Sequence, residues 1–156
     1  MNIKTFCGGY DRNFCYVVHN GTKAAVIDPS VPADKVLQYC KENKLEIEFV
    51  VIMHSHHDHI VDLMAYREEK IPIYAHSSIK MEVDKQLKDN ETIGFYDIQF
   101  KVLHTPGHRF DCICLLMDNH LFTSDTLFVE GCGRVDFQGS EPELMVKTLA
   151  RLKQLP

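Results

Sequence analysis

His54-Ser55-His56-His57-Asp58-His59 follows directly on the apolar run Phe49-Val50-Val51-Ile52-Met53. Four of the chain's nine histidines and one carboxylate thus occupy six consecutive positions at the end of a segment that reads as a buried strand. In extended backbone, residues two apart point to the same side, so His54 and His56 can close on one ion. As the chain turns, Asp58 and His59 diverge from that pair and can hold a second ion nearby. His57 sits between ligand-facing neighbours and points the other way, to solvent or to a supporting hydrogen bond. Neutral imidazole with carboxylate suits zinc, iron or manganese, and no patterned cysteine set marks a structural zinc knuckle. A merely polar, histidine-rich turn is the alternative, and the density of ligand groups weighs against it.

Outward from this run the chain alternates strand and helix signals. Upstream, Ile3 to Phe6, Phe14 to His19 and Lys23 to Ile27 read as strands, with Asn20-Gly21 as the hairpin turn between the last two and Asp28-Pro29 as a terminator. Val36, Leu37 and Cys40 predict a helix from Ala33 to about Asn43 that starts after Pro32, and Ile47 to Met53 is the strand that delivers the histidines. Downstream, Ile60, Leu63 and Met64 follow a helical period between His59 and Lys70, Ile73 to Ala75 is a short strand, and Ser78 to Leu87 is expected to be helical. Gly94 marks a turn, and Ile98 to Leu103, Cys112 to Met117 and Leu121 to Thr123 read as strands, the last two joined by an Asp118-Asn119 turn. A helix from Pro142 to Leu155 carries the stripe Leu144, Met145, Thr148, Leu149 and Leu152.

Two further segments repeat the design of a ligand at a strand end. In Leu103-His104-Thr105-Pro106-Gly107-His108 the Pro-Gly turn presents His108 as a third imidazole, while His104 reads as structural. In Phe122-Thr123-Ser124-Asp125-Thr126-Leu127-Phe128 the Asp125 carboxylate, with two oxygens, can bridge two ions. Gly131-Cys132-Gly133-Arg134 then offers a pliable turn and a cation suited to a substrate carboxylate.

The chain has 156 residues, is 45% hydrophobic and carries a formal net charge of −5, which suits one domain with a sizeable core. Its lysines and arginines are scattered, so nucleic acid is not an expected partner. Met1 to Gly9 lack the apolar core of a signal peptide, and no run approaches the ~20 apolar residues of a membrane span, so a cytoplasmic protein without a membrane partner is expected. Six cysteines are then expected as reduced thiols, with Cys112 and Cys114 packing on one strand face.

His54-x-His56-x-Asp58-His59, Thr105-Pro106-Gly107-His108 and Ser124-Asp125-Thr126-Leu127-Phe128, in that order, resemble the metallo-β-lactamase superfamily. The Gly131-Cys132-Gly133-Arg134 turn is similar to that of glyoxalase II, a thioester hydrolase, and of its relative the persulfide dioxygenase. The resemblance implies an α/β protein: an αββα sandwich of two mixed sheets with outer helices and metals at the sheet edges. It implies His54, His56 and His108 on one metal and Asp58, His59 and bridging Asp125 on the other. The family carries a further histidine on a strand beyond the helix matching Pro142 to Leu155, and a C-terminal helical region with which glyoxalase II grips glutathione. The sequence ends at Pro156 before either. It is therefore expected to be a truncated form that lacks the C-terminal strand, with a weaker second metal site, no support for glutathione specificity, and an open strand edge that favours a homo-oligomer.

The resulting expectation is a metal-dependent hydrolase of a small-molecule acyl thioester, using two zinc ions, with Asp58 as the group that orients water and accepts its proton and Arg134 as the anion-binding residue. One alternative is a mononuclear iron persulfide dioxygenase built on His54, His108 and Asp125, which the continuation Val135-Asp136-Phe137-Gln138 resembles more closely. A non-catalytic metal-binding fragment is the other.

Overall fold

Alternation along the strands sorts the side chains into three apolar layers. The computed structural model describes residues 1–9 and 11–155. A six-stranded sheet runs in the order β1 (Asn2–Gly8), β2 (Asn13–His19), β3 (Lys23–Ile27), β4 (Glu46–Val51), β5 (Ile73–His76) and β6 (Lys85–Leu87). Its first three strands pair antiparallel, the rest parallel. The second sheet has the order β10 (His120–Phe122), β9 (Ile113–Met117), β8 (Ile98–His104) and β7 (Thr92–Phe95). Between the sheets lie Ala25, Ile27, Phe49 and Val51 from one and Phe100, Val102, Ile113 and Leu115 from the other.

The outward residues of the same strands meet helices. Ala24, Val26, Val50 and Ile52 pack under α1 (Ala33–Glu42) and α2 (Leu63–Glu68), contributed by Val36, Cys40, Leu63 and Tyr66. Leu103 and Cys114 on the far side of the second sheet meet Leu152 of α3 (Pro142–Leu152). The order is helix, sheet, sheet, helix, the αββα sandwich that the resemblance implied. The first sheet is mixed as expected. The second is antiparallel throughout, because β7 to β10 follow one another through two tight turns and one longer loop, none of them the crossover that a parallel pair needs.

Two expectations fail. Ser78 to Leu87 forms no helix: Ile79, Met81, Val83, Lys85 and Leu87 are the more buried members of an every-second-residue alternation, and the segment ends in β6 on the edge of β5. Gly94 is not a turn but lies inside β7, paired with Gln99, where any Cβ would collide with the Ile98 carbonyl; the turn is the next pair, Tyr96-Asp97. The segment after His59 is also less helical than expected, with a 3₁₀ turn at His57–His59 before α2. Among the described residues, no helix is long and apolar enough to cross a membrane.

Just beyond β4 the Met53 carbonyl accepts a hydrogen bond from the Ile113 amide at 2.9 Å, which ties the two sheets together at the edge where the histidines emerge.

Candidate metal centre

Every chemically suggestive segment of the sequence arrives at this one edge. His54 and His56 leave β4, His108 follows β8, and Asp125 sits in a 3₁₀ turn (Ser124–Thr126) just past β10. His54 Nε2 and His56 Nδ1 are 3.1 Å apart, and His108 Nε2 is 2.9 Å from the same His56 nitrogen. Ligand atoms of His54, His56, His108 and Asp125 all lie within 4.8 Å of one another. Asp125 faces both ways: Oδ2 is 3.5 Å from His108 Nε2 and Oδ1 is 3.5 Å from His59 Nε2. Asp58 Oδ2 lies 3.4 Å from that His59 nitrogen, which completes a second, adjoining group. His57 stands apart, with its side chain 89% exposed. His104 is also remote, stacked on His76 with ring centroids 3.8 Å apart.

Hydrogen bonds behind the site fix which nitrogen each ring offers. A carbonyl can only accept, so the 2.7 Å contact from His108 Nδ1 to the Arg134 carbonyl makes Nδ1 the donor and leaves the Nε2 lone pair facing inward. The Asp28 carboxylate does the same for His59 through Nδ1 at 2.8 Å. His59 Nε2 is left buried with no hydrogen-bond partner among the described residues, directed at Asp58 and Asp125. A buried ring nitrogen facing two carboxylates favours positive charge at that point, which a proton or a divalent cation supplies. The residues present therefore fit a divalent metal.

The charge balance agrees. Burial and repulsion from neighbouring imidazoles hold His54 well below the usual histidine range, and burial with the His108 charge takes His56 to about 4. Both offer free lone pairs near neutrality. For His59, burial works downward but is outweighed by the Asp28 hydrogen bond and by the Asp125 and Asp58 charges, so its pKa is raised. Burial is the largest influence on Asp125 and raises it. For Asp58 burial is overcome by the Asn13 hydrogen bond and the His59 charge, and the carboxylate stays below its usual range.

Two residues that shape this edge, Asp28 and Asn13, were not singled out as site residues from sequence. Asp28 ends β3 in a left-handed conformation (φ 59°), and a carboxylate at the end of an apolar strand was a legible signal. Asn13 donates to Asp58 Oδ2 at 2.8 Å from 45 positions upstream, for which no local signal exists. Ser124 Oγ stands 3.3 Å from Nδ1 of both His54 and His59. Phe137 lies edge-on to His56 and His108 at 5.8 and 5.9 Å. The Gly131-Cys132-Gly133-Arg134 segment closes a small hairpin of β11 (Leu127–Phe128) and β12 (Gly131–Cys132). Gly133 packs so tightly there that a Cβ would run into the Asp125 carbonyl and lie 3.0 Å from the His108 ring. Arg134 stacks over Phe137 at 4.4 Å and forks onto Asp136 with two 2.9 Å bonds.

Comparison with known proteins agrees with this arrangement. The chain is 34% identical over 157 residues to a hydroxyacylglutathione hydrolase of Pseudoalteromonas translucida, covering 99% of this chain and 59% of that protein. It is 33% identical over 162 residues to the probable polyketide biosynthesis zinc-dependent hydrolase PksB of Bacillus subtilis, covering 97% of this chain and 71% of that one. The chain thus spans about three fifths of the length of the first of these relatives. Among solved structures, ETHE1 from Myxococcus xanthus superposes with a TM-score of 0.92 at 30% identity, over all of this chain and 72% of that one. The profile of the metallo-beta-lactamase superfamily matches residues 8–156, and on that match, with the sandwich and the order of its ligand-bearing turns in accord, the chain belongs to that superfamily.

Proposed function

We propose that this protein is a metal-dependent hydrolase of acyl thioesters. The observation that carries the reading is Asp125, which directs one oxygen to His108 and the other to His59 and so joins two groups of ligands into one centre. In this reading His54, His56 and His108 would hold one zinc ion and Asp58, His59 and Asp125 a second. A pair of such ions supplies water acidified to near neutrality and a polarised carbonyl. Asp58, kept ionised by Asn13 and His59, takes the proton of the attacking water. The new bond joins water oxygen to the acyl carbon, the carbon–sulfur bond breaks, a thiolate leaves without needing an acid, and the carboxylic acid formed gives its remaining proton to solvent. Arg134 receives an anionic end of the substrate by exchanging Asp136 for it.

The relatives named as a hydroxyacylglutathione hydrolase and a zinc-dependent hydrolase support this reading. A second reading, a mononuclear iron persulfide dioxygenase, is favoured by the compactness of the group His54, His56, His108 and Asp125, since two imidazoles and one carboxylate of that group form a complete face for a single iron. Metal analysis of the purified protein with thiol release from acyl thioesters separates the two. About two zinc ions with thiol release is the expected result. One iron with oxygen consumption on a persulfide would replace it by the second reading, and a protein that retains no metal would overturn both.

A further inference from the structure

A cleft of about 970 Å³ opens beside the Asp58, His59 and Asp125 side of the centre. Beside these polar groups its lining includes several apolar side chains. Phe14 and Tyr16 share one face of β2, being two apart, with ring centroids at 6.3 Å, and Tyr16 packs against buried Phe122 at 5.1 Å. The apolar packing between the sheets therefore continues outward along Phe122, Tyr16 and Phe14 until it reaches the cleft. The facing wall is the β11–β12 hairpin, which contributes Leu127, Phe128 and Val129. Phe14 is 52% and Phe128 49% exposed, and Val129 is fully exposed. Of eight exposed large apolar side chains among the described residues, these three line one cleft, a clustering that marks a binding surface. The exposed charged residues of the cleft, Asp11, Arg12 and Glu130, carry one net negative charge and give an anionic group no reason to enter on this side.

We propose that this cleft receives the acyl half of the substrate and selects a medium-length apolar acyl chain over a short or hydroxylated one. The inference rests on the thioester reading. It puts the carbonyl over Asp58 and Asp125, the chain between Phe14 and Phe128, and the thiol carrier on the opposite side, toward Phe137 and Arg134. A methylene that leaves water completely gains about four-fold in binding, and one covered on a single side about two-fold.

The test uses the metal-loaded protein with N-acetylcysteamine thioesters of acetate, lactate, butanoate, hexanoate and octanoate. We expect kcat/KM to rise about two- to four-fold per methylene, lactoyl to be no better than acetyl, and Phe14→Ala or Phe128→Ala to lower the octanoyl rate more than the acetyl rate. In parallel, calorimetry of acetate and octanoate binding to the loaded protein should show tighter octanoate binding that weakens in Phe14→Ala. Turnover that is flat with chain length, or highest for lactoyl, overturns the acyl-cleft inference and leaves the hydrolase reading intact. Octanoate binding that depends on Phe14, without turnover of any thioester, upholds the cleft and overturns the hydrolase reading. Equal binding of acetate and octanoate overturns the cleft by itself.

Discussion

His59 donates its Nδ1 proton to Asp28 at 2.8 Å, and this bond turns the opposite nitrogen toward Asp58 and Asp125. Both residues are almost completely buried; Asp28 directly follows β3, and His59 closes the 3₁₀ turn beyond β4. Asp28→Ala should lower metal affinity about 10- to 100-fold, because a ligand ring that loses its outer partner also loses its fixed tautomer and orientation. Asp28→Asn, which can still accept the bond, should lose less. Competition with a chromogenic chelator measures both, and unchanged affinity in the alanine variant would detach Asp28 from the site.

Asp125→Ala should abolish hydrolysis and release the more weakly held ion first, since each candidate ion shares this carboxylate. The metal-free fold should tolerate the change within about 1 kcal/mol, because burial disfavours the ionised group and outweighs the attraction of His59 and His108. Thermal melts of the metal-free protein, read with metal content and turnover, check this. A variant that keeps both ions and its rate would remove Asp125 from the centre.

Acid should destabilise the protein partly through His76. This ring is buried, stacked on His104 at 3.8 Å, and its pKa is lowered to about 4 by burial and then by the His104 charge, with Asp111 and Asp89 opposing. The folded state thus binds fewer protons than the unfolded chain between about pH 6.5 and 4. Stability from this residue is complete above the first value, falls as pH drops through the window, and levels off below the second. After allowance for solvent screening the change should be about 1–2 kcal/mol. His76→Phe preserves the stack, and Ser78 keeps its bond to the Phe110 carbonyl. Urea unfolding of metal-free wild type and variant at pH 7 and pH 4.5 should show a shallower acid loss in the variant; parallel losses would refute the assignment.

Tyr66 is wholly buried under α1 and its hydroxyl has no hydrogen-bond partner among the described residues. Tyr66→Phe removes an unsatisfied polar group at nearly constant volume, so it should be neutral or stabilise by about 1 kcal/mol. A urea midpoint that falls by the equivalent of more than about 1 kcal/mol would mean that the hydroxyl is bonded after all.

What the sequence made legible is what short range encodes. His54 to His59 form one contiguous motif, and His108 and Asp125 each stand just after an apolar strand, so pattern alone located them. Asn20-Gly21 marked its hairpin correctly, with Asn20 Oδ1 accepting from the Thr22 and Lys23 amides. Ser78 to Leu87 was misread as a helix although Ile79, Met81, Val83 and Leu87 alternate in the strand period; only Lys85–Leu87 forms a ladder, on the edge of β5. Asn13 was invisible for another reason: its significance is a bond to Asp58 across 45 positions, and nothing in its own neighbourhood announces a partner so distant.

The amide of Ile113 and the carbonyl of Met53 join the sheets where the histidines emerge, and this seam bears on folding. The first sheet brings Asp28, His54, His56, Asp58 and His59; the second brings His108 and Asp125. Neither half owns a whole site. Contacts of such sequence separation require the intervening loops to close, so an ion held by residues of both sheets would report that the two halves have docked. It would resist their separation by a free energy that grows with the logarithm of free metal over its dissociation constant, a clasp across the seam.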